Sequence, residues 1–234
     1  MIGAAFPAGL GVLATGALAL GVYDPNNPLF GRVIGRGARA GRSIYLTFDD
    51  GPNPTATERV LDTLVRDSVP AAFFLVGAHV QRFPDLARRT ADAGYEIGNH
   101  TQHHVKLHRR GPGRIRRELE DAHQAIFEVT ARAPRAFRAP HGYRNPFVAP
   151  AARRLGYRTF GWTFGVWDTA RPGAEEIRRR VRVKLRPGAI ILLHDGDGYD
   201  PTGDRRQTAE ALPGIIRDAR DQGYAFRPLS ELLA

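Results

Sequence analysis

Short apolar runs alternate with amphipathic stretches along this 234-residue chain from residue 43 onward. The apolar runs have the length and the β-branched and aromatic content of buried strands, and they predict strands at 43–48, 71–76, 95–98, 136–138, 157–162, 189–194 and 224–227. The stretches between them predict helices at 55–67, 84–93, 112–131, 146–155, 174–185 and 207–222, with a short last helix near 229–233. This alternation predicts an α/β fold in which helices cover a parallel sheet.

The pattern is different before residue 43. Residues 1–23 contain no charged side chain and are long enough, at about 1.5 Å per residue, to span a bilayer as a helix. We therefore expect a membrane anchor, with a cleaved signal peptide as the alternative because Ala17-Leu18-Ala19 resembles a cleavage site. The Gly-rich and Arg-rich residues that follow predict a linker. The chain is thus divided into three parts, at 1–23, 24–42 and 43–234.

An anchor or a signal segment implies that the domain is attached to a membrane or secreted, facing the cell envelope. Four Arg residues lie between residues 24 and 42, and the positive-inside rule taken alone favours the cytoplasmic side instead. The whole chain carries a formal net charge of +10, which favours anionic partners such as a membrane surface or a wall polymer. A solvated basic surface is an equal alternative. Nucleic acid is not expected, because the Arg residues form no binding motif, and no protein partner is indicated.

The chain contains no cysteine, so a bound metal must be held by histidine and carboxylate side chains. Asp49 and Asp50 directly follow the first predicted strand, where such a pair either binds a cation or starts a turn and caps the next helix. His100 and His104 are four residues apart, which on a helical turn puts both rings on one face. Two histidines and one carboxylate form an open zinc site, which other divalent ions also fit.

The candidate polar residues lie at the carboxyl ends of predicted strands. They are Asp49, Asp50, His100, Arg138, Asp168 and His194. Because parallel strands end at the same face, we expect these side chains to meet there, as they do in barrel enzymes.

Five motifs follow one another along the chain. They are Thr47-Phe48-Asp49-Asp50-Gly51-Pro52, His100-Thr101-Gln102-His103-His104, Arg138-Ala139-Pro140-His141-Gly142, Trp162 through Asp168, and Leu192-Leu193-His194-Asp195. In this order they resemble the motifs of the polysaccharide deacetylases, carbohydrate esterase family four, which share the NodB homology domain. The resemblance covers roughly residues 40–234. It implies a single-domain, irregular (β/α)7 barrel that hydrolyses acetyl groups on carbohydrates.

The resemblance also implies roles for individual residues. Asp50, His100 and His104 match the metal ligands of the family, usually for zinc, with Co²⁺, Ni²⁺ or Mn²⁺ as alternatives. Asp49 matches the catalytic base, and Arg138 matches the residue that pairs with this base and fixes its direction. Taken singly, each histidine could instead be a hydrogen-bonded loop residue. The histidines outside this pattern are expected to face solvent, and they are His79, His103, His108 and His123.

On the substrate side, His194 matches the catalytic acid that protonates the leaving group, and Asp168 matches the carboxylate that supports this histidine. Trp162 and Leu192 match apolar walls around the acetyl methyl group, although either could be a plain core residue. His141 stands where the family has a tyrosine whose backbone N–H stabilises the oxyanion. A backbone donor survives this change, so we expect His141 to alter the lining of the pocket.

These matches predict a metal-dependent enzyme that removes acetyl groups from N-acetylated amino sugars in a polysaccharide, such as peptidoglycan or a chitin-like glycan. An O-acetyl carbohydrate esterase acting on substrates such as acetylxylan is the first alternative, because the motifs do not specify whether acetate leaves an amine or an alcohol. The second alternative is a membrane-tethered module that binds glycan without catalysis. It is disfavoured because every matched catalytic position holds a competent side chain.

Overall fold

A central parallel sheet organises the fold. The computed structural model describes residues 16 and 18–233 of the chain. In this part of the chain the strands are β1 (Ser43–Asp49), β2 (Ala71–Leu75), β3 (Glu96–Asn99), β4 (Ala136–Phe137), β5 (Arg158–Thr159), β6 (Phe164–Gly165), β7 (Ala189–His194) and β8 (Ala225–Phe226). They pair in the order β5-β4-β3-β2-β1-β7-β6, and β8 pairs with the start of β1. Every pairing between these strands is parallel.

Strand β1 lies in the middle of the sheet and determines where the site forms. Its register places Asp49 beside Phe74 of β2 on one side and beside His194 of β7 on the other. Successive side chains of a strand point to opposite faces. One face of β1 joins the main apolar core through Ile44, Leu46 and Phe48. The other face begins with Tyr45 in a second apolar cluster and continues through the buried polar side chains of Thr47 and Asp49.

Helices follow most of the strands. They are α1 (Thr57–Arg66), α2 (Gly77–Arg82), α3 (Pro84–Asp92), α4 (Pro112–Thr130), α5 (Val148–Arg154), α6 (Ala174–Lys184) and α7 (Arg206–Asp221). Their apolar faces pack on the sheet, and the side chains buried there include Val60, Leu61, Leu64, Leu212, Ile215 and Ile216. Full burial of one such side chain stabilises the fold by about 1.5–3 kcal/mol.

The predicted fold class, an α/β single domain of the irregular (β/α)7 barrel type, is confirmed. The sequence pattern did not predict β6 or α2. β6 has two residues, which is too short for a recognisable alternation, and α2 has six, fewer than two helical turns. The strand predicted at 157–162 is reduced to Arg158–Thr159, and the chain beyond it forms a parallel bridge from Phe160 to Ile34.

The segment before β1 lies against the barrel. The side-chain amide of Asn26 donates to the carbonyl of Trp162 (2.9 Å), and the guanidinium of Arg144 donates to the carbonyl of Asn27 (2.6 Å). Farther along, the guanidinium of Arg36 donates to the carbonyl of Pro187 (2.8 Å). Part of the predicted linker at 24–42 is therefore packed on the domain.

Most of the predicted anchor at 1–23 lies outside the described residues, because only residue 16 and residues 18–23 of this segment are described. The described part of the chain contains no helix with the length and apolar character needed to cross a bilayer. The division of the chain into anchor, linker and domain remains a prediction.

Candidate active site

Three buried side chains converge at the carboxyl ends of β1 and β3. The Oδ1 atom of Asp50 lies 3.3 Å from Nε2 of His100 and 3.0 Å from Nε2 of His104. The three residues can direct one ligand atom each toward a common point, with all three atoms within 4.8 Å of one another. Ligands about 2.0–2.2 Å from a tetrahedral zinc ion are about 3.3 Å apart, so these separations fit a shared cation.

The electrostatics of Asp50 also fit a cation site. Its Oδ1 atom is buried and faces the Nε2 atoms of both histidines without a hydrogen bond of good geometry to either, as expected for three atoms that share a metal. Burial alone would raise the pKa of this carboxyl, but the imidazoles of His104 and His100 hold the pKa well below its ordinary range. Asp50 is therefore available as an anionic ligand at neutral pH.

The two histidines are brought together by a loop. Sequence spacing suggested that His100 and His104 share a face of a helical turn, and this expectation is wrong: residues 100–104 form no helix. Thr101 and His104 instead adopt left-handed backbone conformations, with φ of 70° and 51°. The loop is held by side chains next to it, since the Thr101 N–H donates to Asn99 Oδ1 (2.8 Å) and the His103 N–H donates to Glu118 Oε2 (2.8 Å).

Arg138 is completely buried beside the candidate metal ligands and pairs with Asp49. Its Nη1 donates to Asp49 Oδ1 (2.6 Å) and to the hydroxyl of Thr47 (2.9 Å), and its Nη2 donates to the carbonyl of Gly161 (2.9 Å). The guanidinium also lies 4.1 Å from the centre of the Phe74 ring. Asp49 Oδ1 is thus occupied, while Oδ2 lies 3.7 Å from Nε2 of His100, at the edge of the candidate metal site.

His194 and Asp168 form a second pair, in which the carboxylate is buried and the imidazole is partly exposed. Nδ1 of His194 donates to Asp168 Oδ1 (3.0 Å), and the backbone N–H of His194 donates to Asp168 Oδ2 (2.8 Å), which also accepts from the hydroxyl of Thr208 (3.0 Å). Burial lowers the pKa of His194, but Asp168 and the nearby carboxylates of Asp50 and Asp49 outweigh it and raise this pKa to about 9. The imidazolium form is therefore favoured at neutral pH.

The two pairs and the metal cluster border one cavity of about 520 Å³, a size typical of small-ligand sites. The structure brings all ten predicted site residues to this cavity: nine line it directly, and Arg138 lies behind Asp49. Trp162, Leu192 and His141 contribute to its walls, together with Tyr143 and two exposed aromatic residues, Trp167 and Tyr199.

The ring of His141 lies close to His104, one of the candidate metal ligands, with ring centroids 4.9 Å apart. Its backbone is left-handed, with φ of 58°, and its Nε2 is hydrogen-bonded to the hydroxyl of Tyr199 (2.9 Å). Partial burial, assisted by the neighbouring His104 and Lys106, lowers the pKa of His141 to about 4. His141 is therefore neutral at neutral pH and presents a polar, uncharged edge to the cavity.

Two residues near the site, His79 and Asp195, were given no role in it from the sequence. His79, expected to face solvent, is buried, and its Nδ1 donates to the carbonyl of Asp50 (2.9 Å). Asp195 is buried behind the site, where burial and the carboxylates of Asp50 and Asp49 raise its pKa to about 7 against the opposing hydrogen bond from Thr57. The only sequence signal for Asp195 was its place beside His194, and His79 had none.

Comparison with known proteins identifies the family of this chain. The family model described as polysaccharide deacetylase matches residues 36–160. A chitooligosaccharide deacetylase from Bradyrhizobium sp. (strain ANU 289) is 40% identical over 200 residues, covering 82% of this chain and 90% of that protein. A peptidoglycan-N-acetylglucosamine deacetylase from Bacillus cereus is 40% identical over 192 residues, covering 81% of this chain and 87% of that protein.

One similar solved structure is a pseudoenzyme of carbohydrate esterase family four from Bacillus anthracis. It has a TM-score of 0.78 and 31% identity, covering 86% of this chain and 68% of that one. Fold similarity alone therefore does not distinguish a catalyst from an inactive relative, and the side chains in the cavity must decide.

Proposed function

The chain belongs to the polysaccharide deacetylase family, and from this we propose that it is a metal-dependent hydrolase that removes acetyl groups from N-acetylated amino sugars in a glycan. The main support is the presence of a candidate metal cluster, a carboxylate paired with a buried Arg, and a His–Asp pair around one cavity. The relatives named for chitooligosaccharides and for peptidoglycan indicate the substrate class, a glycan that contains N-acetylglucosamine.

Asp50, His100 and His104 would hold the metal, with zinc the ion that this donor set suits best. When bound, such an ion polarises an acyl oxygen and makes water more acidic. His100 is fixed for this role by the hydrogen bond from its Nδ1 to the carbonyl of Arg138 (2.8 Å), which leaves Nε2 directed at Asp50. This is the usual way in which a second contact orients a histidine ligand.

Asp49 would act as the general base. Its Oδ1 is held by Arg138, so Oδ2 is the oxygen free to accept a proton from the attacking water. Arg138 cannot turn away, because Thr47 and Gly161 accept its other hydrogen bonds and the residue is completely buried. A base held in one orientation loses little entropy on reaching the transition state.

His194 would act as the general acid. Its Nδ1 proton is engaged by Asp168, so Nε2 carries the proton available to the cavity. An amine is a poor leaving group until it is protonated, so a retained His–Asp pair suits amide cleavage. Trp162 and Leu192 lie where an acetyl methyl group could be excluded from water, and His141 adds a polar edge to the same cavity.

The alkaline limb of the pH profile should report the charge state of His194. Because Asp168 raises the pKa of His194, the acid form is present at lower pH and is lost as pH rises through this raised pKa. We therefore expect kcat on an N-acetylglucosamine oligomer to fall on the alkaline side of the ordinary histidine range. Asp168→Asn removes the negative charge that sustains the high pKa, so the fall should begin at lower pH.

The matched control for this profile is Thr208→Val, which removes a hydrogen bond to Asp168 but keeps the carboxylate. Its alkaline limb should stay within about half a pH unit of the wild type. An identical limb in wild type and Asp168→Asn would contradict the assignment of His194 as the acid.

The substrate class can be tested by acetate release from N-acetylglucosamine oligomers, peptidoglycan glycans, acetylxylan and an activated aryl acetate. We expect the wild type to prefer the N-acetylated glycans. His194→Ala should lower amide cleavage by about a hundredfold or more, but cleavage of the activated ester by less than about tenfold, because that leaving group needs no proton.

Each alternative function has a distinct result in this panel. A clear preference for acetylxylan would support the O-acetyl esterase. Release of acetate from none of the substrates by the metal-loaded protein would support the non-catalytic glycan-binding module, in line with the similar pseudoenzyme.

We also propose that residues 1–23 contact a membrane and that the protein is located at the cell envelope. The uncharged N-terminus supports the first proposal, and the relative named for peptidoglycan supports the second.

A further inference from the structure

We propose that Tyr199 is a positioning residue that, together with His141 and the backbone of Gly198, holds the ring of His104 in place for metal binding. This inference rests on the proposed function, in which His104 is a metal ligand. It concerns a loop residue that lies outside the five sequence motifs.

The two histidine ligands are supported differently. A metal-binding histidine is usually oriented by a hydrogen bond from its second ring nitrogen. His100 has this bond, to the carbonyl of Arg138. Nδ1 of His104 is buried and has no hydrogen-bond partner among the described residues. Among the described residues, packing contacts are what orient the His104 ring.

Three contacts supply this packing. The ring of Tyr199 meets the His104 ring edge to face, with centroids 5.0 Å apart and an angle of 81° between the planes. The His141 ring lies on the same imidazole at 4.9 Å and 60°. The backbone of Gly198 is so close that a Cβ at this position would lie 2.1 Å from Nδ1 of His104. Aromatic contacts of this kind stabilise one ring orientation over others.

Tyr199 is itself held in position. Its hydroxyl is hydrogen-bonded to His141 Nε2 (2.9 Å), and its backbone N–H donates to Asp197 Oδ1 (3.0 Å). Asp197 Oδ2 accepts from Nη2 of Arg205 (2.6 Å), whose Nε donates to the carbonyl of Gly196 (2.9 Å). Arg205 is buried, so the loop that presents Tyr199 is fastened to the body of the domain.

The effect of Tyr199 on His104 can be tested without disturbing the apolar core. Tyr199 is 64% exposed, so loss of its ring should leave the fold intact. Trp167 offers a matched control, since it is also an exposed aromatic residue of the same cavity wall but makes no ring contact with His104 among the described residues.

The experiment is a titration of the full-length, chelator-treated chain with Co²⁺, followed by visible absorption, which responds to coordination geometry. Tyr199→Ala should weaken Co²⁺ binding by roughly ten- to a hundredfold, the usual effect of losing an outer support, and should change the absorption spectrum. Tyr199→Phe keeps the ring and should stay within about threefold of wild type, as should Trp167→Ala. Gly198→Ala should weaken binding at least as much as Tyr199→Ala, because the new methyl group displaces the His104 ring.

Wild-type affinity and spectrum in folded Tyr199→Ala would overturn the positioning role while leaving the metal site intact. Equal losses in Trp167→Ala and Tyr199→Ala would also overturn it, because the effect would then belong to the cavity wall in general. Absence of Co²⁺ binding in the wild type would overturn the metal site itself, and with it both the proposed function and this support. Circular dichroism of each variant confirms that the comparison is made between folded proteins.

Discussion

His104→Ala should abolish both binding of a divalent ion and release of acetate. With the imidazole removed, only Asp50 and His100 remain, and two ligands do not form a catalytic site of the usual three. We expect affinity to fall by more than the roughly hundredfold that loss of an outer-shell partner causes. The measurement is metal content after dialysis, together with a Co²⁺ titration and an acetate-release assay on the same samples.

His103→Ala is the matched control, because this neighbouring histidine has a half-exposed side chain and is not part of the cluster. Its backbone N–H still donates to Glu118, so the loop should keep its shape. Metal content and activity should stay within about threefold of wild type. A metal-free His104→Ala protein with full activity would contradict the assignment of the metal site.

Asp49→Asn should lower kcat by about a hundredfold to ten-thousandfold while the metal remains bound. The amide is close in size to the carboxylate but cannot accept a proton from water, and this range is the usual contribution of a general base. The substituted side chain can still accept from Arg138 through its oxygen, which should preserve the buried hydrogen bond. The measurement is kcat for an N-acetylated oligomer beside metal content.

Asp50→Asn is the comparison variant for Asp49→Asn, because the two substitutions should have opposite effects on metal binding. It should weaken metal binding, because the anionic ligand of the cluster is lost. The two aspartates are adjacent in sequence, so a general disturbance of the β1 end would affect both variants alike. Loss of metal in Asp49→Asn with retention in Asp50→Asn would mean that the two roles are exchanged.

The similarity to a pseudoenzyme makes these substitutions informative. That protein shares the fold at a TM-score of 0.78, so the fold is compatible with an inactive member. In the present chain Asp49, the proposed base, has a buried Arg partner, and His194, the proposed acid, has a buried carboxylate partner. Such pairs are costly to bury without a purpose, since each ion must be compensated. Catalysis is therefore the function that best accounts for the two pairs together.

The sequence alone was enough to predict that the candidate site residues lie together at one face of the sheet. Apolar runs predicted the strands, and polar residues at their ends were expected at one face, where parallel strands end together. Asp49 and His194 illustrate this, because they are 145 positions apart in the chain and neighbours in register between β1 and β7. The motif resemblance supplied the roles, which remain predictions until the variants are measured.

The local sequence pattern was not enough to predict the conformation of the loop at residues 100–104, which carries two of the candidate metal ligands. The spacing of His100 and His104 suggested a helical turn, yet two left-handed residues bring the rings together. What selects this loop is a pair of hydrogen bonds that its backbone N–H groups donate to the side-chain oxygens of Asn99 and of Glu118, which lies on α4. A spacing of four residues is compatible with either conformation, so only contacts with other parts of the fold could decide between them.

The tertiary structure also decided which neighbours support the chemistry. Burial of His79 beneath Asp50 and the contact of Tyr199 with His104 both join residues far apart in sequence. Periodicity reports which face of an element is buried, because burial repeats with the turn of a helix or the pleat of a strand. Periodicity does not show which side chain from another loop will contact a given buried residue. That contact depends on how the loops pack once the sheet has formed.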